Sequence, residues 1–228
     1  MSERELSGQR VLVTQADVFM GPALCAAISA AGAEVIAADG DLVEPAAAAA
    51  CVAGAGRIDA VVANLGVAAP ATPVGEVGDD EWRAVFSAMV DPLPRLLAAV
   101  LPDWRERSHG GRFLVMGSAS ALRGMPRTST YSAARGAQLA WVQASGVELA
   151  REGIRVNAIA QNFVDNPTYF PARVQALPRF QERLRREVPL GRLVSADEDA
   201  RFATYLLSPA ADCFVGQVFP VCGGWVAR

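Results

Sequence analysis

Two short apolar runs with a helical stretch between them constrain this chain more than any other feature. Arg10-Val-Leu-Val-Thr14 has no polar alternation and predicts a strand buried on both faces. A helical stretch follows from about Gly21 to Ala31, closed by Gly32, and Glu34 to Ala38 reads as a second strand. A strand, a helix and a second strand at this spacing predict a βαβ unit with parallel strands. Similar runs recur at Ile58–Asn64, Gly111–Ser118, Ile154–Ala160 and Gly216–Val221. Helical stretches are expected at Trp82–Arg107 (broken near Pro92 and Pro94), from Tyr131 to about Glu152, at Phe180–Glu187 and at Ala196–Leu207. With 228 residues, one α/β domain over the whole chain is the simplest organisation.

The turn after the first strand is Thr14-Gln15-Ala16-Asp17-Val18-Phe19-Met20-Gly21. In a doubly wound fold this turn faces the ligand crevice, and a dinucleotide pyrophosphate would rest on it. Glycines are needed there so that the backbone can approach the phosphates. Only Gly21 is present, and Phe19 projects into the space a nicotinamide nucleotide would fill. Asp39 stands where an acidic residue could bond a ribose hydroxyl, but it reads as a polar strand end. Residues 43–54 read as one alanine-rich helix directly after the second strand, so a third strand is short or absent there. The expectation is α/β: a single doubly wound Rossmann-like domain with a mostly parallel sheet, shortened after the second strand. A loop from Val67 to Gly78 follows the next strand, and Asp79 reads as the N-cap of the helix after it.

Composition excludes several functions. No apolar run is long enough to predict a membrane span, and Met1–Gln9 is polar, which predicts a cytoplasmic protein with no membrane partner. The net charge is −3 and the arginines are scattered, so no nucleic-acid surface is expected. Cys25, Cys51, Cys213 and Cys222 are widely spaced and predict reduced, mostly buried thiols. His109 is the only histidine and reads as a loop residue, so a histidine metal site or a Ser-His-Asp triad has no basis. All 21 basic residues are arginine.

The chemistry concentrates at Ser118 and Tyr131-Ser-Ala-Ala-Arg135. Tyr131 and Arg135 are four apart, hence on one helix face. A cation so placed favours phenolate over phenol, which suits a general base. Ser118 ends the strand from Gly111 and can hold the oxygen that loses the proton. Ser120 is a rival for that role, but the 13-residue spacing to Tyr131 prefers Ser118.

This set resembles the Ser-Tyr-Lys arrangement of the short-chain dehydrogenase/reductase superfamily, with arginine in place of lysine. The spacing Ser-x12-Tyr-x3-Arg, with Thr-x4-Phe-x-Gly at residues 14–21, looks like the halohydrin dehalogenases, a branch without a nicotinamide cofactor. Asn64-Leu65-Gly66 resembles the superfamily's Asn-Ala-Gly, and Gly223-Gly224-Trp225 resembles its closing Asp-Gly-Gly, with Cys222 in the Asp place. The interval from Thr14 to Asn64 is 50 positions, which looks about one helix and a loop shorter than in the dehydrogenases. Met89 falls where those enzymes carry a catalytic asparagine, and a structural role is expected for Asn64.

The resemblance implies Ser118, Tyr131 and Arg135 as a catalytic triad that converts vicinal halo-alcohols to epoxides. It also implies reverse opening of epoxides by small anions such as azide, cyanide or nitrite. It places a halide site at Phe19, Gln161, Asn162 and Phe163, with the backbone N–H groups of Asn162 and Phe163 as donors. Val164, Tyr169 and Phe170 are the implied substrate-pocket residues. It further implies no cofactor, no metal and a homotetramer, built in part on the helix after Tyr131. The alternatives are an NAD(P)-dependent short-chain oxidoreductase and a non-catalytic binding protein on the same scaffold.

Overall fold

Six parallel strands form the centre of the molecule, in the order β2-β1-β3-β4-β5-β6. A computed structural model describes residues 5–107 and 110–227. The expectation for His109 lies outside the described residues. The strands are β1 (Arg10–Thr14), β2 (Glu34–Ala38), β3 (Ala60–Ala63), β4 (Arg112–Ser118), β5 (Arg155–Gln161) and β6 (Val218–Val221). The helices are α1 (Gly21–Ala30), α2 (Ala47–Ala55), α3 (Asp79–Met89), α4 (Pro92–Glu106), α5 (Ser129–Leu149), α6 (Ala172–Gln175), α7 (Pro178–Glu187) and α8 (Ala196–Leu206). This is an open Rossmann-like α/β fold with helices on both faces of the sheet.

Side-chain alternation along the strands separates two cores. Val11 and Val13 of β1 point to the face covered by α1 and α8, where they meet Leu24, Ile28, Ala203 and Leu206. Leu12 points to the opposite face, with Val61, Phe113 and Val156, under Leu96 and Val100 of α4 and Leu139 and Val142 of α5. Burial on both faces explains why β1, β3 and β4 read as unbroken apolar runs.

The shortening after the second strand takes a definite form. Residues 39–46 join β2 to α2, and among the described residues no strand pairs beyond β2, so it is an edge. None of its five residues is fully buried. The dinucleotide-fold order 3-2-1-4-5-6 places one more strand outside this position.

Three expectations are corrected. Asp79 is the first residue of α3 rather than its cap. Gly78 precedes it and no side chain caps the helix, while Asp79, Asp80 and Glu81 lie together in the first turn near the positive end of the helix dipole. The stretch Asp79–Glu106 does contain an 18-residue window apolar enough for a membrane span. It divides into α3 and α4, and the buried residues of α4 pack on the sheet. Of the four thiols, which are all free, only Cys222 is buried; Cys25 and Cys51 are half-buried and Cys213 is exposed.

Candidate active site

The carboxyl ends of β1, β3, β4 and β5 meet at one crevice. At its floor the β1–α1 turn keeps a shape made for glycine without having the glycines. Gln15 and Phe19 both have positive φ, at 44° and 53°. An L side chain in that region costs about 1–2 kcal/mol, so neighbours must hold it. The Asn64 side-chain amide donates to Gln15 O and Val18 O, at 2.9 and 3.1 Å. The Gly66 N–H donates to Gln15 Oε1 at 2.8 Å. Asn64 is thus a clamp on the turn, as its expected structural role requires. Gly21 is retained for a different reason: a Cβ there would lie 2.4 Å from Ala16 O.

Phe19 stacks on Tyr169 with ring centroids 5.4 Å apart. Its N–H donates to Thr168 Oγ1 at 3.3 Å. The segment after β5 is therefore tied down over the β1–α1 turn. Phe19 is not among the residues that line the adjacent cavity and adjoins it through Tyr169.

That cavity has a volume of about 910 Å³. Ser118, Tyr131, Arg135, Gln161, Asn162, Phe163, Val164, Tyr169 and Phe170 all line it. Ser118 ends β4 opposite Gln161 of β5, and Tyr131 and Arg135 lie in the first turns of α5. The helix step works as expected, and Arg135 Cζ sits 5.1 Å from the Tyr131 ring centroid. Arg135 Nη1 lies 2.9 Å from each of Leu65 O, Met116 O and Gln138 Oε1, which fixes the guanidinium from below. Burial acts to lower the Arg135 pKa, but Tyr131 and Tyr169 outweigh it and hold it raised. The residue stays a cation in a dry position. Met89 is fully buried, and its carbonyl accepts from Gln138 Nε2 at 2.7 Å.

Two contacts were not legible in the sequence. Ser118 and Ser120 are partners rather than rivals, with their hydroxyls 2.9 Å apart and the Ser120 N–H donating to Ser118 Oγ at 3.2 Å. Tyr131 Oη donates to Tyr169 Oη at 3.2 Å, and Tyr169 Oη donates to Val67 O at 2.6 Å. Burial, then the Tyr131 charge, push the Tyr169 hydroxyl well above the usual phenol range, with Arg135 opposing. Tyr169 therefore stays a neutral donor. The sequence separation of 38 residues between the tyrosines explains why spacing gave no sign of this contact.

The loop after β5 corrects the expected anion donors. The Asn162 N–H is committed to Val221 O at 3.1 Å. The Phe163 N–H is capped by Asn162 Oδ1 at 2.9 Å. Phe163 has φ 51°, which reverses the chain, and the following Val164 N–H meets no acceptor among the described residues. The Val164 amide is open, whereas the Phe163 amide would open only on release of its bond to Asn162 Oδ1. Gln161 stays in the cavity lining, and its amide donates to Asp199 Oδ2. Asp199 is fully buried and its Oδ1 has no partner. Burial pushes its pKa up to about 7, against the opposing hydrogen bond from Gln161.

An open parallel sheet with a serine, a tyrosine and a cation gathered at its carboxyl edge defines a Rossmann-like α/β protein with an enzyme's side-chain set. Residues 5–226 match a family model described as enoyl-(acyl carrier protein) reductase. The chain belongs to the short-chain dehydrogenase/reductase superfamily. It is 32% identical over 176 residues to cis-4-hydroxycyclohexanecarboxylate dehydrogenase of Sinomonas cyclohexanicum, covering 75% of this chain and 67% of that one. It is 31% identical to acetoacetyl-CoA reductase of Shinella zoogloeoides, covering 74% and 68%. A solved structure described as a dehalogenation enzyme superposes with TM-score 0.90 at 32% identity, covering 96% of this chain and 99% of that chain. A short-chain type dehydrogenase/reductase from Mycobacterium ulcerans shares the fold, with TM-score 0.89 at 22% identity.

Proposed function

We propose that this protein is a halohydrin dehalogenase. Ser118 Oγ holds the hydroxyl of a vicinal halo-alcohol, and Tyr131 accepts its proton with Arg135 beneath the ring. The alkoxide oxygen attacks the neighbouring carbon from the side opposite the halogen. One C–O bond forms, one carbon–halogen bond breaks, and the products are an epoxide, a halide ion and a proton. Halide leaves toward the Phe163 and Val164 amides, where backbone dipoles meet the developing charge. Electrons balance without an oxidant or a reductant. Run backwards, the same groups open an epoxide with a small anion.

The observation that carries this reading is the Phe19–Tyr169 stack over the β1–α1 turn. It covers the turn on which a dinucleotide pyrophosphate would have to rest. With Gln15 in a glycine position and β2 exposed as an edge, the residues present do not fit a dinucleotide. The similarity to a dehalogenation enzyme over 96% of the chain supports the same reading.

The oxidoreductase remains the second reading because both sequence relatives named above are a dehydrogenase and a reductase. The deciding assay is halide release from a small bromo-alcohol with no nucleotide added. Wild type is expected to release bromide, and Tyr131→Phe to lose at least about 10²-fold in rate, the usual contribution of a general base. Absence of release from several halo-alcohols, with saturable NAD(P) binding, would sink the proposal in favour of the second reading.

A further inference from the structure

The cavity is larger than a small halo-alcohol needs, and arginines stand at its rim. Pockets for drug-sized ligands run about 300–1,000 Å³, and this one lies near the top of that range at about 910 Å³. Apolar side chains, Met125, Phe170 and Trp225 among them, share the lining with polar ones.

At the rim stand Arg123, Arg183 and Arg186 against one carboxylate, Glu187. Arg183 Nε lies 3.1 Å from Glu187 Oε2, and Arg186 Nη2 lies 3.0 Å from Oε1. Burial acts against ionisation of Glu187, but the two arginines outweigh it and hold its pKa lowered. Arg123 has no carboxylate partner among the described residues. Its Cζ lies 4.7 Å over the Trp225 ring, and it donates to Trp225 O, so the guanidinium plane is fixed beside the opening. Arg123 is thus a cation in the cavity lining that an aromatic face holds rigid.

A planar guanidinium fixed in this way suits an oxyanion. We infer that the substrate is amphiphilic: a vicinal halo-alcohol at one end, an apolar body, and a terminal oxyacid anion, carboxylate or phosphate, at the other. The anion is a spectator that docks at Arg123 while the reacting end turns over at Ser118 and Tyr131. This inference rests on the dehalogenase reading.

The test uses bromo-alcohols of matched chain length ending in a carboxylate, a phosphate monoester or a neutral amide, with a small uncharged bromo-alcohol as reference. At least one anionic compound is expected to exceed the amide in kcat/KM by about tenfold, the scale of one charge-assisted hydrogen bond. That ratio should fall toward unity in Arg123→Gln, recover in part in Arg123→Lys, and shrink with added salt. The carboxylate and phosphate arms separate the two sources of the anion. Parity between anion and amide in an enzyme that consumes the reference compound would overturn the inference and leave the dehalogenase standing. No release from any compound would overturn the dehalogenase reading instead. Calorimetry with halogen-free hydroxy compounds then judges the rim by itself: tighter binding of the acid than the amide supports the anion site, and equal binding overturns it.

Discussion

Asp199 shows most clearly how a single side chain ties the site to pH. A buried carboxyl whose folded pKa is raised to about 7 binds its proton more tightly in the folded than in the unfolded state. Folding is therefore favoured below the unfolded pKa of an aspartate, loses stability as pH rises toward 7, and bears the full cost of a buried charge above that. At about 1.4 kcal/mol per pH unit, that cost is on the order of 4 kcal/mol as an upper bound. Asp199→Asn keeps an acceptor for Gln161 and removes the charge, so its Tm should exceed wild type at pH 8 and approach it at pH 5. A variant that is no more stable at pH 8 would place the charge elsewhere. Tyr169→Phe removes the hydroxyl that bridges Tyr131 and Val67 O. Its loss should lower kcat for halide release by less than Tyr131→Phe does, while the stack on Phe19 survives. Ser118, Tyr131 and Arg135 were legible because a strand end and a four-residue helix step fix them locally. The Tyr131–Tyr169 and Gln161–Asp199 contacts were not, because they join elements that meet only in the folded chain.

Among the elements, the β1–α1 turn and the loop after β5 differ in how far the sequence foretold them. The turn was legible because glycine loss at defined places has steric meaning. Gly21 is its test: a methyl group there would lie against the main chain of residues 15 and 16, at 2.4–2.5 Å. Gly21→Ala should cost about 2 kcal/mol or more, read as a fall in Tm. The loop was legible only as a place. Which of its amides are spent on β6 and which stay open depends on hydrogen bonds formed in the assembled sheet. Helix ends behaved similarly. Ser195 and Glu198 form a reciprocal cap at the start of α8, a pattern present in the sequence as Ser-x-x-Glu. Asp79 gave a false capping signal because aspartate is equally at home in a first turn.

For the whole molecule, the apolar runs specified the parallel sheet and its two cores, and the short interval from Thr14 to Asn64 foretold that no strand lies outside β2 among the described residues. The cationic rim was not legible, since Arg123 and α7 are far apart in the sequence and their arginines are scattered in a chain that uses no lysine. Ligand linkage offers a test on the intact protein. If the Phe163 and Val164 amides hold halide, bromide should raise Tm relative to fluoride at equal ionic strength. At a hundred times its Kd the gain is about 2.7 kcal/mol. NAD(P) should give no comparable rise, and the reverse pattern would favour the oxidoreductase.

The β1–α1 turn has a consequence for design. Its main chain follows a path in which Gln15 and Phe19 occupy conformations that glycine takes freely, so main-chain shape and side-chain content have come apart. An engineer who wants a different ligand at this edge of the sheet can hold the scaffold fixed and vary positions 15 and 19 alone. Glycine at 19 empties the space above the turn, while glycine at 15 also removes the acceptor of the Gly66 N–H, so position 19 is the place to begin.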